Sequence, residues 1–229
     1  GRAPAGAESV RGAEGPPQAG SAPAGAESVR GAEGPPQAGS APAGAPRAVR
    51  LSGAWLPGEG KYSGVDPARI DALAADFHGT VAVEACGSRG LPLKVPGAGE
   101  PVIPSSCGVV VCVTGLSALG APASPEVIHR WDAFAALTGR PVGSPLTPEV
   151  LALILTHPDG SFTGAPAGSR LIWLINQADT PARVEKALVF AREVMRLTDG
   201  QAGCRIDTIA VASLQSDDPV KAVVKDTPA

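Results

Sequence analysis

The sequence predicts a doubly wound α/β domain, on three observations. Short apolar, β-branched runs alternate with amphipathic helical patterns, several of those patterns open on a capping residue followed by proline, and the periodicity starts only after about residue 48. Alternation of this kind builds a mostly parallel sheet with helices on both faces. The expected division is a tail over 1–48 and an α/β domain over 49–229.

The tail repeats with a period of 19: APAGAESVRGAEGPPQAGS begins at Ala3 and again at Ala22, and a third copy breaks off after Ala45. Eight prolines and ten glycines fall in the first 48 residues, and the only large apolar side chains there are Val10 and Val29. A solenoid unit stacks through a hydrophobic face, which this repeat does not have. Such a segment cannot bury enough apolar surface to offset its chain entropy, so disorder is expected.

Four runs read as strands of a sheet covered on both sides: 80–84, 109–114, 171–176 and 206–212. Between them, Ile70, Leu73, Ala74 and Phe77 recur at helical spacing. Val127, Ile128, Trp131, Phe134 and Ala135 do the same, as do Val184, Ala187, Leu188, Ala191 and Met195. Asp66-Pro67, Ser124-Pro125, Thr147-Pro148 and Thr180-Pro181 mark helix starts, because the first side chain caps a free N–H and proline at the first position loses no bond. Glu126 and Glu149 then place negative charge in the first turn, where the helix dipole favours it.

Composition excludes some classes. With 44% hydrophobic residues, 18% charged residues and a net charge of −3, no basic stripe points to nucleic acid. The apolar runs at 109–113 and 171–175 are far shorter than the ~20 residues a spanning helix needs, so no membrane segment is expected. Nor does the start read as a secretory leader. The cysteines at 86, 107, 112 and 204 show no metal spacing and fit a reducing cytoplasm, Cys112 as a small buried thiol. Met195 is the only methionine, so the chain reads as a fragment, a processed product or part of a longer frame.

Ligands of open parallel sheets bind beyond the carboxyl ends of the strands. Two such ends are polar. The first carries Glu84, Cys86, Gly87, Ser88, Arg89 and Gly90, followed by Lys94. A carboxylate closing an apolar strand is how a Walker-B-type position holds Mg²⁺, so Glu84 is the candidate metal ligand. Gly87 permits a tight turn, while Ser88, Arg89 and Lys94 can meet phosphate oxygens. An ordinary turn with solvated charges explains the same residues. The second end, Asn176-Gln177-Ala178-Asp179, is similar to the NKxD box of GTPases, whose Asp accepts hydrogen bonds from guanine; Gln177 replaces the Lys. A plain turn before the Thr180 cap is the alternative.

His129 and His157 have no second ligand at metal spacing, which favours structural or helix-end roles. No GxSxG occurs, and no catalytic residue is identified. GxxxxGK[ST] is absent too: Gly58-Glu-Gly60-Lys61-Tyr62 fails because position 55 is Trp and Tyr62 supplies no metal hydroxyl.

Several segments together, in order and spacing, carry a resemblance: Glu84-Ala-Cys-Gly-Ser-Arg-Gly-Leu-Pro-Leu-Lys94, Glu100-Pro-Val-Ile-Pro104, Val113-Thr-Gly-Leu-Ser-Ala-Leu-Gly120 and Glu126-Val-Ile-His-Arg130. Phe134-Ala-Ala-Leu-Thr-Gly139, Leu146-Thr-Pro-Glu149, His157-Pro-Asp-Gly160 and Asn176-Gln-Ala-Asp179 continue it. From about Leu51 to Ala212 the chain resembles the YqeC family of selenium-dependent hydroxylase accessory proteins. The resemblance implies a P-loop NTPase-like fold, here without its N-terminal P-loop unit, and a partner among selenium-dependent molybdenum hydroxylases. The two polar strand ends suggest GTP or ATP with Mg²⁺ as the ligand. Cys86 stands where the family pattern has Asp, and a soft thiol does not replace a carboxylate on hard Mg²⁺. A non-catalytic partner- or cofactor-binding module, or a truncated defective product, are the other readings.

Overall fold

Seven residues of each of two strands, Val109–Gly115 and Arg170–Asn176, pair in parallel in the main sheet. The computed structural model describes residues 26–29, 48–51, 53–56, 61–199 and 205–225. They fall into two compact units, Gly1–Val65 and Asp66–Ala229.

In the first unit β1 (Ala26–Val29) pairs in parallel with β2 (Ala48–Leu51), and β3 (Trp55–Leu56) pairs antiparallel with β4 (Lys61–Tyr62). The Trp55 and Tyr62 rings meet edge to face at 5.0 Å. β1 lies inside the 1–48 stretch for which the composition predicts disorder. The remaining tail residues, 1–25 and 30–47, and the Gly58-Glu-Gly60 near miss lie outside the described residues.

The second unit begins with α1 (Pro67–Asp76), where Asp66 accepts the Ala68 N–H at 2.9 Å. Asp71 of α1 takes both the N–H and the hydroxyl of Ser105 and of Ser106, tying the helix to the entrance of the central sheet. Then follow β5 (Leu93–Lys94), β6 (Val109–Gly115), a 3-10 turn, β7 (Ile128–His129), α2 (Trp131–Thr138), α3 (Pro148–Thr156), β8 (Arg170–Asn176), α4 (Pro181–Thr198), β9 (Thr208–Ala212) and β10 (Val220–Lys225). The main sheet has the order β10-β9-β8-β6, with β6, β8 and β9 parallel and β10 antiparallel. A two-stranded parallel sheet joins β5 to β7.

Three of the four expected strands form within a residue or two, but 80–84 does not. Val83 is 45% exposed, and among the described residues no strand pairs with the segment. Its β-branched residues favour a pleat only where a partner supplies packing. The helix expected at Ser124-Pro125 also starts later. Ser124 O instead accepts the N–H groups of Val127 and Ile128 in a turn, and Ile128–His129 is captured as strand β7. Arg130, left-handed at φ 66°, then opens α2. Glu126 consequently lies in that turn and not in a helix. Thr147-Pro148 and Thr180-Pro181 open α3 and α4 as expected; Thr180 accepts the Arg183 N–H, while the Thr147 side chain makes no capping bond.

Register places Cys112, Trp173 and Ile209 side by side on one face. There they meet Phe134 of α2, Leu151 and Leu155 of α3, and Ala187, Ala191 and Val194 of α4 in one core. Inside it, the Trp173 indole N–H donates to Thr114 Oγ1 at 2.9 Å, and burial pushes the Cys112 thiol up to about 11. The opposite face leaves Val109, Val111, Val113 and Val223 at 39, 45, 54 and 49% exposure. Helices on both faces, as expected from the apolar strands, are therefore not what α2, α3 and α4 provide. The strand order advances in one direction from β6 through β8 to β9, and right-handed crossovers then carry every connecting helix to the same side. Among the described residues no helix is long and apolar enough to cross a membrane.

This asymmetry is measurable. Ile209→Ala, on the core face, should lose about 2–5 kcal/mol in urea denaturation, whereas Val113→Ala, on the open face, should lose under about 1 kcal/mol.

Candidate functional site

β6, β8 and β9 all run the same way, so their carboxyl ends, Gly115, Asn176 and Ala212, lie at one edge of the sheet. The turns that follow enclose a polar cleft of about 460 Å³, lined by Ser117, Asn176, Gln177, Asp179, Arg183, Leu214 and Gln215. Backbone and side-chain bonds lock these turns together. Ala178 N–H donates to Ala212 O, and Leu214 N–H donates to Asn176 Oδ1 at 3.0 Å. The Ser213 hydroxyl donates to Asp179 Oδ1 at 2.7 Å, so β9 positions that carboxylate from behind. Its other oxygen, Oδ2, accepts from Arg183 Nη1 at 2.8 Å, and the same nitrogen donates to Gln177 O at 3.3 Å.

Gln177 is left-handed (φ 71°), which turns the chain between strand and helix. Gly115 is required where β6 passes it: a Cβ there would come 2.8 Å from Pro92 and 2.9 Å from Gln177 Oε1. Asn176 and Asp179, taken together from the sequence, thus share one cleft, and Gly115 N–H donating to Pro92 O brings the loop before β5 alongside it.

The other candidates gather about a different carboxylate. Glu100 accepts from Arg130 at 2.6 and 3.3 Å and from the Gly97 N–H at 3.3 Å, and pairs with Lys94 at 3.0 Å. Cys86 Sγ approaches it at 3.9 Å. Lys94, 12% exposed, also donates to Gly87 O at 2.9 Å. The Arg130 bonds, then those from Lys94 and Gly97, hold the Glu100 carboxyl at about 2 against burial, which pulls the other way. His129 is lowered first by burial and then by the positive field of Lys94, Arg130 and Arg89.

Lys94 and Gly87 are brought together by a direct bond, and Lys94 is held in turn by Glu100, which with Arg130 the sequence reading did not single out as a site residue. Arg183, Ser213 and Gln215 were missed as well. The four-residue spacing of Asp179 and Arg183 was the available signal for one of them. Ser88 contributes its carbonyl to the Leu91 N–H, closing the turn, and Arg89 is left-handed (φ 55°) and exposed. Glu84 lies in the unpaired segment with its Oε1 over Gly87, so it does not close a strand as a Walker-B-type position does. Among the described residues no three His, Cys, Asp or Glu side chains converge as a metal site. A single exposed carboxylate does not fit a resident Mg²⁺. His157 ends α3 and accepts the Asp159 N–H on Nδ1 at 3.1 Å, a helix-end role.

Residues 43–132 match the family model described as YqeC protein. "Uncharacterized protein YqeC" of Escherichia coli (strain K12) is 41% identical over 125 residues, 54% of this chain and 49% of that protein. The matched stretch thus spans about half the length of that relative. No solved structure matches. The family match contains the Glu100 cluster, whereas every lining residue of the Asp179 cleft except Ser117 lies beyond residue 132.

Because the Glu100 pKa is lowered on folding, its contribution is present above about 4.5 and is lost as pH falls toward about 2. Glu100→Gln should therefore be less stable than the parent at neutral pH, by about 1–3 kcal/mol. The gap should close between about pH 4.5 and 2 in urea titrations; a gap independent of pH would rule out the ionised carboxylate as its source.

Proposed function

We propose that this chain, whose residues 43–132 match the YqeC family model, is a YqeC-family protein that binds a purine nucleotide, guanine-bearing in preference to adenine-bearing, in the cleft at the carboxyl ends of β6, β8 and β9. In this reading it is a cytoplasmic accessory protein for the maturation of selenium-dependent molybdenum hydroxylases, built on a P-loop NTPase-like fold without the N-terminal P-loop unit.

One observation carries the ligand. Asp179 is held from behind by Ser213 and lines a polar cleft large enough for a heterocycle. An ionised carboxylate only accepts hydrogen bonds. Guanine offers adjacent N1–H and N2–H donors to such a group, whereas the matching edge of adenine offers one donor beside an acceptor. Asn176 does not face the ligand in this reading: it fixes the Leu214 amide and with it the far wall.

The phosphates extend toward the loop that abuts Gly115 through Pro92, where Gly87, Ser88 and Arg89 supply backbone and cationic donors and Lys94, held by Glu100 and the Gly87 carbonyl, supports the turn. Any Mg²⁺ arrives with the phosphates and is held by their oxygens, since a lone exposed Glu84 does not fit a resident ion. The hydroxylase partner is supported by the family resemblance alone. A binding role is favoured over turnover by Glu100, which already neutralises Lys94 and Arg130.

Calorimetric titration of the full chain with GTP, GDP and ATP tests this. Guanine nucleotides should bind in the micromolar range. Asp179→Ala should weaken them at least about tenfold, since a hydrogen bond to a charged group contributes about 1.5–3 kcal/mol, and should change ATP binding little. Equal GTP affinity in a folded Asp179→Ala protein would remove base recognition from the cleft.

A further inference from the structure

We infer that Arg183 is an internal competitor for the ligand of this cleft, seated on Asp179 in the place a guanine edge takes, so that binding proceeds by its displacement. The inference rests on the nucleotide reading above and adds how the same site is gated.

The geometry separates the two oxygens of Asp179. Oδ1 is turned to Ser213 at the end of β9, a contact that belongs to the scaffold. Oδ2 takes the Arg183 guanidinium at 2.8 Å, and both residues line the cleft. A guanidinium is a planar carbon bearing N–H groups. Guanine carries the same unit, N1–C2–N2, on the edge that donates to a carboxylate. Arg183 thus offers Asp179 the functional group that the ligand would bring, and both cannot occupy Oδ2 in the same plane.

The contact is built to yield. Arg183 and Asp179 are 52 and 49% exposed, and an exposed pair four residues apart on a helix start is weak. The second Arg183 bond, to the Gln177 carbonyl, is long at 3.3 Å. The residues that hold the cleft together are others: Asn176 on Leu214, Ser213 on Asp179, and Ala178 on Ala212. Removing the arginine side chain therefore unblocks the carboxylate without dismantling its support. The backbone N–H of Arg183, which Thr180 accepts, is unaffected by the substitution.

The test uses guanosine, which has no phosphate and no charge, with the full chain and its Arg183→Gln variant. The variant should bind about two- to fivefold more tightly, the range an exposed ion pair allows. Added salt should strengthen guanosine binding by the parent chain, because it screens the competing pair, and should leave the variant nearly unchanged. Arg183→Lys keeps the charge but not the planar fork, and should also bind more tightly than the parent. If the parent binds guanosine and both variants bind equally or more weakly, Arg183 is no competitor, while base binding in the cleft stands. If none of the three binds guanosine, the base-recognition reading falls, and this inference falls with it.

Discussion

Handedness is the constraint on which the rest of the second unit depends. Three parallel strands are joined in the order β6, β8, β9, each new strand beside the last. Right-handed crossovers in a single direction put α2, α3 and α4 on one side. The same winding sends every strand-to-helix turn to the carboxyl edge. The one-sided core around Trp173 and the polar cleft at Asp179 are two results of that single fact. Even the buried indole bond to Thr114 follows, since register places Trp173 and Thr114 on the face that the helices cover.

The two carboxylates that organise the polar groups differ in what surrounds them. Glu100 is saturated: Arg130, Lys94 and Gly97 all donate to it, and it fastens β5, the loop between β5 and β6 and the start of α2 into one knot. Removing it would strand Lys94, which is largely buried. Asp179 is supported on one oxygen and weakly engaged on the other. A saturated carboxylate is suited to holding structure, and a half-engaged one to exchanging partners. This contrast, more than the presence of charge, separates a structural knot from a ligand seat.

The sheet itself has two unlike faces. Cys112, Trp173 and Ile209 meet packed helices, while Val109, Val111 and Val113 alternate with them and face outward. Strand β6 is apolar at nearly every position, the composition of a strand buried on both sides. Its neighbours in the described residues bury only one.

From the sequence alone came the α/β class, three of the four strands, the starts of α1, α3 and α4, and the pairing of Asn176 with Asp179. These are local properties: hydrophobic period, a capping oxygen before proline, and two side chains three residues apart at a strand end. The family resemblance was legible for the same reason, in short ordered segments. The tertiary structure alone decided the rest. Segment 80–84 has strand residues but no partner to pair with, and 127–129 has helical spacing but a waiting partner in β5. Arg130 reaches Glu100 across 30 residues, and Ser213 reaches Asp179 across 34. Which face of the sheet is covered depends on the order of strands in space, and a chain encodes that order only through contacts between residues far apart along it.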